Sequence, residues 1–221
     1  MGANTLLNFG IGIALLGVPL VLLACRQLGR DTLSFVPRLF GWVLAALCVA
    51  LATTISPSGT STLGVRSVSI ETLVLGVVTA VGTLVSFAVV GFIQRAIGLP
   101  NADIAMFTRV TALSPLHKVL LVVTAGVTEE ILYRGYAIGL NQVLFGSVWV
   151  AASFSLFVFI LAHLNWRASH LISVAVAGGA VTVLFVLSRD LTACILAHTL
   201  VDGVAVALMP GYLRRWAKVP V

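Results

Sequence analysis

The stretch Thr128-Glu129-Glu130-Ile131-Leu132-Tyr133-Arg134 sets three ionisable side chains inside a run that is otherwise apolar. That run extends from about Pro115 to Leu144, with Val119 to Val123 ahead of the acids and Ala137 to Leu140 behind them. No polar stripe accompanies the charges, so the pattern is not that of a solvent-facing helix. In lipid, each such charge near mid-depth costs about 2.5–3.5 kcal/mol on insertion scales. An intramembrane ionisable group is therefore read first as part of a functional site.

Helix geometry sorts the three. Glu130 and Arg134 are four apart and share a face, with the acid on the N-terminal side, the better order for an ion pair. Glu129 points about 100° round from Glu130. The expected division is a neutralised Glu130–Arg134 pair and a Glu129 carboxylate left for other work. The alternative is a buried structural network of all three.

Composition sets the class. Of 221 residues, 60% are hydrophobic and 9% charged, and the mean hydropathy is +1.13. Soluble domains are nearer a quarter charged. The expectation is an all-α, polytopic transmembrane helical bundle, a single membrane-embedded domain over 1–221 with its motif-bearing half at about 115–210. The net charge of +6 does not indicate nucleic acid, because the basic residues lie between apolar spans rather than in one patch. Cys25, Cys48 and Cys194 show no CxxC or Cys/His metal spacing and read as small apolar filler. No basic segment precedes the first apolar run, unlike a typical secretory signal, and Leu6 breaks the myristoylation pattern after Met1-Gly2.

About seven apolar spans can be read, near 5–25, 39–55, 72–93, 116–142, 147–164, 171–187 and 190–209. The loops alternate in charge. Arg26, Arg30, Arg38, Arg95, Arg109, Lys118, Arg167, Arg214, Arg215 and Lys218 fall on one side, ten against the two of Arg66 and Arg189. The positive-inside rule places the ten in the cytoplasm, the N-terminus outside and the C-terminus inside. Trp149 and Trp166 bracket the fifth span and, with Trp42 and Trp216, read as interface anchors. Ile104, Phe107, Val110 and Thr111 have the spacing of a short amphipathic helix on the cytoplasmic surface. Ser114-Pro115 reads as the N-cap and first residue of span four. Gly178-Gly179 reads as a close helix contact.

Three more polar side chains interrupt apolar spans. His163 closes span five, and span seven carries His198 and Asp202, four apart on one face. His117 and His170 sit beside basic residues at span ends and read as interfacial. Glu129, two histidines and an aspartate together suit hydrolysis, with Glu129 as general base on water and a histidine donating to an oxyanion. Two histidines and a carboxylate also suit zinc with a water in an open position, although there is no HExxH. Proton transport is the third reading, but the polar groups all lie in the second half, with no matching broken helices in the first.

Glu-Glu-x-x-x-Arg at 129–134, Phe-x-x-x-His at 159–163 and His-x-x-x-Asp at 198–202 resemble, in order and rough spacing, the CPBP intramembrane protease family. That family includes type II CAAX prenyl endopeptidases and bacterial Abi proteins, and the resemblance covers spans four to seven. It implies a helical bundle with a conical polar cavity open to the cytoplasm. It implies an endopeptidase in which Glu129 activates water with His163, His198 and Asp202 stabilise the oxyanion, and Glu130 and Arg134 support them. No cofactor is expected, with zinc or another divalent metal as the alternative. The expected partners are the lipid bilayer and a peptide or membrane-protein substrate, which in the CAAX case is lipidated. The expected location is a bacterial or archaeal cell membrane. The rival reading is an inactive immunity or interaction protein that keeps the motifs. Where the family's third motif often ends in Asn, this chain has Asp202.

Overall fold

The computed structural model describes residues 3–56, 58–99, 104–140, 146–164 and 167–212. Every regular element among them is helical. The order is α1 (Ala3–Gln27), α2 (Phe35–Ile55), the single turn α3 (Gly59–Thr62), α4 (Ile70–Ala96), α5 (Ile104–Thr111) and α6 (Pro115–Thr124). A π-helix, π1 (Ala125–Leu140), continues α6. Then follow α7 (Val148–Ala162), α8 (Ala168–Ser188) and α9 (Leu191–Tyr212).

The protein is an all-α polytopic bundle. Among the described residues, five helical stretches are long and apolar enough to cross a membrane: Asn4–Gln27, Phe35–Ile55, Ile70–Ala96, His170–Ser188 and Leu191–Gly211. The other two expected spans are built differently. Span four is α6 running on as π1, and span five is the 15-residue α7. At 1.5 Å per residue α7 reaches only about 22 Å, short of the hydrocarbon thickness.

Local chemistry sets the helix starts. Ser69 caps α4, its hydroxyl accepting from the Thr72 amide at 3.1 Å, with Glu71 favourably placed in the first turn. Ser114 caps α6 by accepting from the His117 amide, and Pro115 fills the first turn, as the sequence suggested. The amphipathic helix expected near 104–111 is α5, and an exposed ion pair from Arg109 to Asp31 fastens it to the loop after α1. All three cysteines are free and buried. Trp42 is partly exposed but donates from Nε1 to Thr124 Oγ1 at 3.0 Å, so it ties α2 to α6 as well as facing outward. Trp149 is exposed, whereas Trp166 and Trp216 lie outside the described residues.

π1 is the hub. It packs against α1, α2, α7 and α9, and its Leu132, Tyr133, Tyr136, Ala137 and Ile138 form the centre of the core. Its hydrogen bonds run from i to i+5, so a turn holds more residues than the α-helical 3.6 assumed in assigning faces. Close approach is possible where side chains vanish. A Cβ on Gly126 would stand 2.3 Å from Thr199 Oγ1, so only glycine lets π1 and α9 meet there. Of the pair 178–179, only Gly178 makes the expected close contact: its Cβ would lie 2.9 Å from the Phe159 ring, while Gly179 faces open space.

Candidate active site

The site is assembled around Glu130. Its side chain is 0% exposed, and Oε1 accepts two hydrogen bonds, from Arg134 Nη1 at 2.8 Å and from His198 Nδ1 at 2.7 Å. The expected Glu130–Arg134 pair is therefore present, on consecutive turns of π1 rather than of an α-helix. Oε2 of Glu130 is buried and meets no donor among the described residues.

Arg134, 1% exposed, is held from three directions. Nη2 donates to the Gly178 carbonyl at 2.9 Å, Nε reaches Thr182 Oγ1 at 3.4 Å, and the guanidinium carbon lies 4.6 Å above the Phe159 ring. Arginine suits this position because its fork donates in several directions at once and its flat face stacks on an aromatic ring. Gly178, Thr182 and Phe159 thus hold the cation that neutralises Glu130. Sequence reading missed Thr182. The signal was a hydroxyl interrupting an apolar span.

His198 stands between two carboxylates. Nδ1 donates to Glu130, and Nε2 lies 3.5 Å from Asp202 Oδ2, beyond ordinary hydrogen-bond length. Exposure rises along this row, from 0% for Glu130 through 13% for the His198 side chain to 38% for that of Asp202. The ring is therefore oriented from the buried side, by Glu130, and its outer nitrogen faces the more open side.

Glu129 is half-buried and makes no hydrogen bond among the described residues, and His163, His198, Asp202 and Glu130 lie within electrostatic reach of it. His163, at the C-terminal end of α7, lies 2.8 Å through Nδ1 from the Phe159 carbonyl. A carbonyl only accepts, so Nδ1 carries the proton and Nε2 presents a lone pair. The Phe159 ring stacks at a tilt on His163 at 4.7 Å and meets Tyr133 edge-on at 5.1 Å, so the phenylalanine of the second motif fixes both His163 and Arg134.

A small interior cavity of about 20 Å³ adjoins the network, lined by Thr83, Glu130, Arg134, Phe159, Gly178 and His198 among others. Glu129, His163 and Asp202 are not part of its lining.

His198 Nδ1 meets Glu130 and its Nε2 faces Asp202, His163 Nδ1 meets the Phe159 carbonyl, and no three His, Cys, Asp or Glu among the described residues are grouped as metal ligands.

The fold and these residues define a class: a multi-pass helical membrane protein with a buried carboxylate, arginine and histidine network inside its bundle. Residues 111–204 match the family model described as Type II CAAX prenyl endopeptidase Rce1-like, and all six motif residues lie in that segment. The match spans a little under half of the chain. At the general level the family indicates a protease. No curated protein and no solved structure matches the chain.

Proposed function

We propose that the protein is an intramembrane endopeptidase that cleaves membrane-associated peptides or proteins with water activated by Glu129 and His163. The observation that carries this reading is the contrast between adjacent acids. Glu130 is committed to Arg134 and His198, whereas Glu129 is half-buried, makes no hydrogen bond among the described residues and lies within electrostatic reach of both histidines.

In this mechanism water donates one hydrogen bond to Glu129 and one to the Nε2 lone pair of His163. Glu129 takes the proton as oxygen attacks the scissile carbonyl. The tetrahedral oxyanion accepts from His198 Nε2–H, which requires a ring protonated on both nitrogens because Nδ1 already donates to Glu130. Asp202 stands beside that nitrogen and stabilises the positive charge of the ring. Collapse of the intermediate breaks the C–N bond, and Glu129 returns its proton to the leaving amine. Metal plays no part in this scheme. The arrangement of basic loops supports an external N-terminus and a cytoplasmic C-terminus, with substrate reaching the site from the cytoplasmic side.

The test is cleavage by the full chain in proteoliposomes of two quenched fluorescent peptides, one with farnesyl-cysteine near its C-terminus and one without lipid. Cleavage of either peptide, abolished by Glu129→Gln in a variant that inserts and purifies normally, supports the reading, and the preferred peptide assigns the substrate class. Retained cleavage by Glu129→Gln overturns it.

A further inference from the structure

The cavity beside Glu130 has the size and lining of a site for one water molecule. A cavity needs about 10–15 Å³ to admit a water, together with two to four polar partners. This one measures about 20 Å³. Glu130 Oε2, on a side chain 0% exposed, is an acceptor without a protein donor among the described residues, and Glu130 lines the cavity. Across it stands Thr83 of α4, 2% exposed, whose hydroxyl donates to the Thr79 carbonyl at 2.8 Å and so keeps its own lone pairs to accept. Arg134 has five guanidinium N–H groups and three hydrogen bonds among the described residues.

We infer that a single buried water is bound here, donating to Glu130 Oε2 and Thr83 Oγ1 and accepting from Arg134, which makes Thr83 a positioning residue for the site. Thr83 lies outside the segment that matches the family model, so the motif-bearing half borrows this contact from the first half of the chain. The water completes the second oxygen of Glu130, whose first oxygen orients His198. A carboxylate held at both oxygens cannot rotate and carry the imidazole with it. The water itself stands on geometry alone, whereas its effect on turnover rests on the protease reading.

The experiment pairs Thr83→Val, which keeps shape and removes the hydroxyl, with Thr83→Ser, which keeps the hydroxyl. Crystals of the full chain grown in lipid should show one ordered water about 2.7–3.2 Å from Glu130 Oε2 in the wild type and in Thr83→Ser, and none in Thr83→Val. In proteoliposomes with whichever quenched peptide the wild type cleaves, Thr83→Val should lower kcat several-fold at constant KM, and Thr83→Ser should restore it. A dry cavity in the wild type, or a water that stays in place in Thr83→Val, overturns the site. Equal kcat losses in both variants overturn the positioning role. If the wild type cleaves neither peptide, the density still decides the water while the protease reading falls by itself.

Discussion

Glu130 Oε1 lies 2.7 Å from His198 Nδ1, a hydrogen bond between residues 68 apart in the chain. It joins π1 to α9 at the level where Arg134 neutralises the acid, and it decides which face of the imidazole is turned outward. The first and third motifs are thus one structure. Glu130 is the hinge between them, and the proposed mechanism leaves its neighbour Glu129 for chemistry.

That division predicts different failures for the two glutamates. Glu129→Gln keeps shape, removes the base, and should lower kcat by at least about 10²-fold while leaving thermal stability unchanged. Glu130→Gln keeps the bond to His198 through its carbonyl but removes the charge opposite Arg134, and should lower both stability and kcat. Melting temperature and turnover measured on the same preparations separate the two. Equal melting losses would show that Glu129 is also structural.

Arg134→Ala should be the more damaging change to the fold. It strands Glu130 without a cation, frees the Gly178 carbonyl and uncovers the Phe159 ring. Removing one partner of a buried pair costs about 3–5 kcal/mol. The expected readout is a large drop in melting temperature or failure to accumulate in the membrane. A stable Arg134→Ala protein would mean that Glu130 is held neutral by other means.

Much of this was legible in the sequence, and the boundary has a physical cause. The helical class followed from hydropathy, and the Glu130–Arg134 pair from a spacing of four that survives in either helix type. The caps at Ser69 and Ser114 act within three residues of themselves, and Ser114 could be read directly. The bond from Glu130 to His198 was not legible, because which ring nitrogen meets which oxygen depends on how π1 and α9 pack. The register of π1 was equally hidden, since composition does not distinguish i+5 from i+4 bonding in an apolar run. The sequence placed Asp202 on the same face as His198, one turn along its own helix. The closer partner of His198 is Glu130, across the bundle.

Packing between π1 and α9 can be tested away from the charges. Gly126→Ala places a methyl group where Thr199 Oγ1 stands 2.3 Å off and the Thr199 amide 3.2 Å off. Thr199 follows His198, so the displaced segment carries the imidazole away from Glu130. Overpacking of this kind costs about 1–3 kcal/mol. Gly126→Ala should lower both melting temperature and kcat, and Thr199→Ala in the same chain should recover part of each by removing the obstructing hydroxyl. No recovery would show that the backbone contact dominates.

Metal dependence has a direct outcome. The purified chain, dialysed against a strong chelator and returned to metal-free buffer, should cleave at its original rate, and elemental analysis should find less than one zinc per chain. Loss of activity that zinc alone restores would place a metal in the site.

Asp202 offers the last test, because it stands where the family's motif often carries Asn. Its Oδ2 is 3.5 Å from His198 Nε2, and its side chain is 38% exposed, so it is neither locked to the ring nor buried as an isolated charge. At that distance its contribution is an acceptor facing the ring and a negative field on it, not a rigid hydrogen bond. Asn keeps the acceptor and adds a donor that can reach the oxyanion, while giving up the charge. Leu gives up all three. Asp202→Asn should therefore retain much of the activity and Asp202→Leu should lose most of it, with KM similar in both because neither change reshapes the bundle. The pH–rate profile separates field from geometry. If Asp202 serves as a protonated donor, wild-type turnover falls at high pH along a limb that Asp202→Asn abolishes, since an amide does not titrate. If it serves as the ring's acceptor, that limb belongs to His198 and persists in the Asn variant. Equal inactivity of the Asn and Leu variants would mean that the negative charge itself is required, and that His198 alone carries the oxyanion.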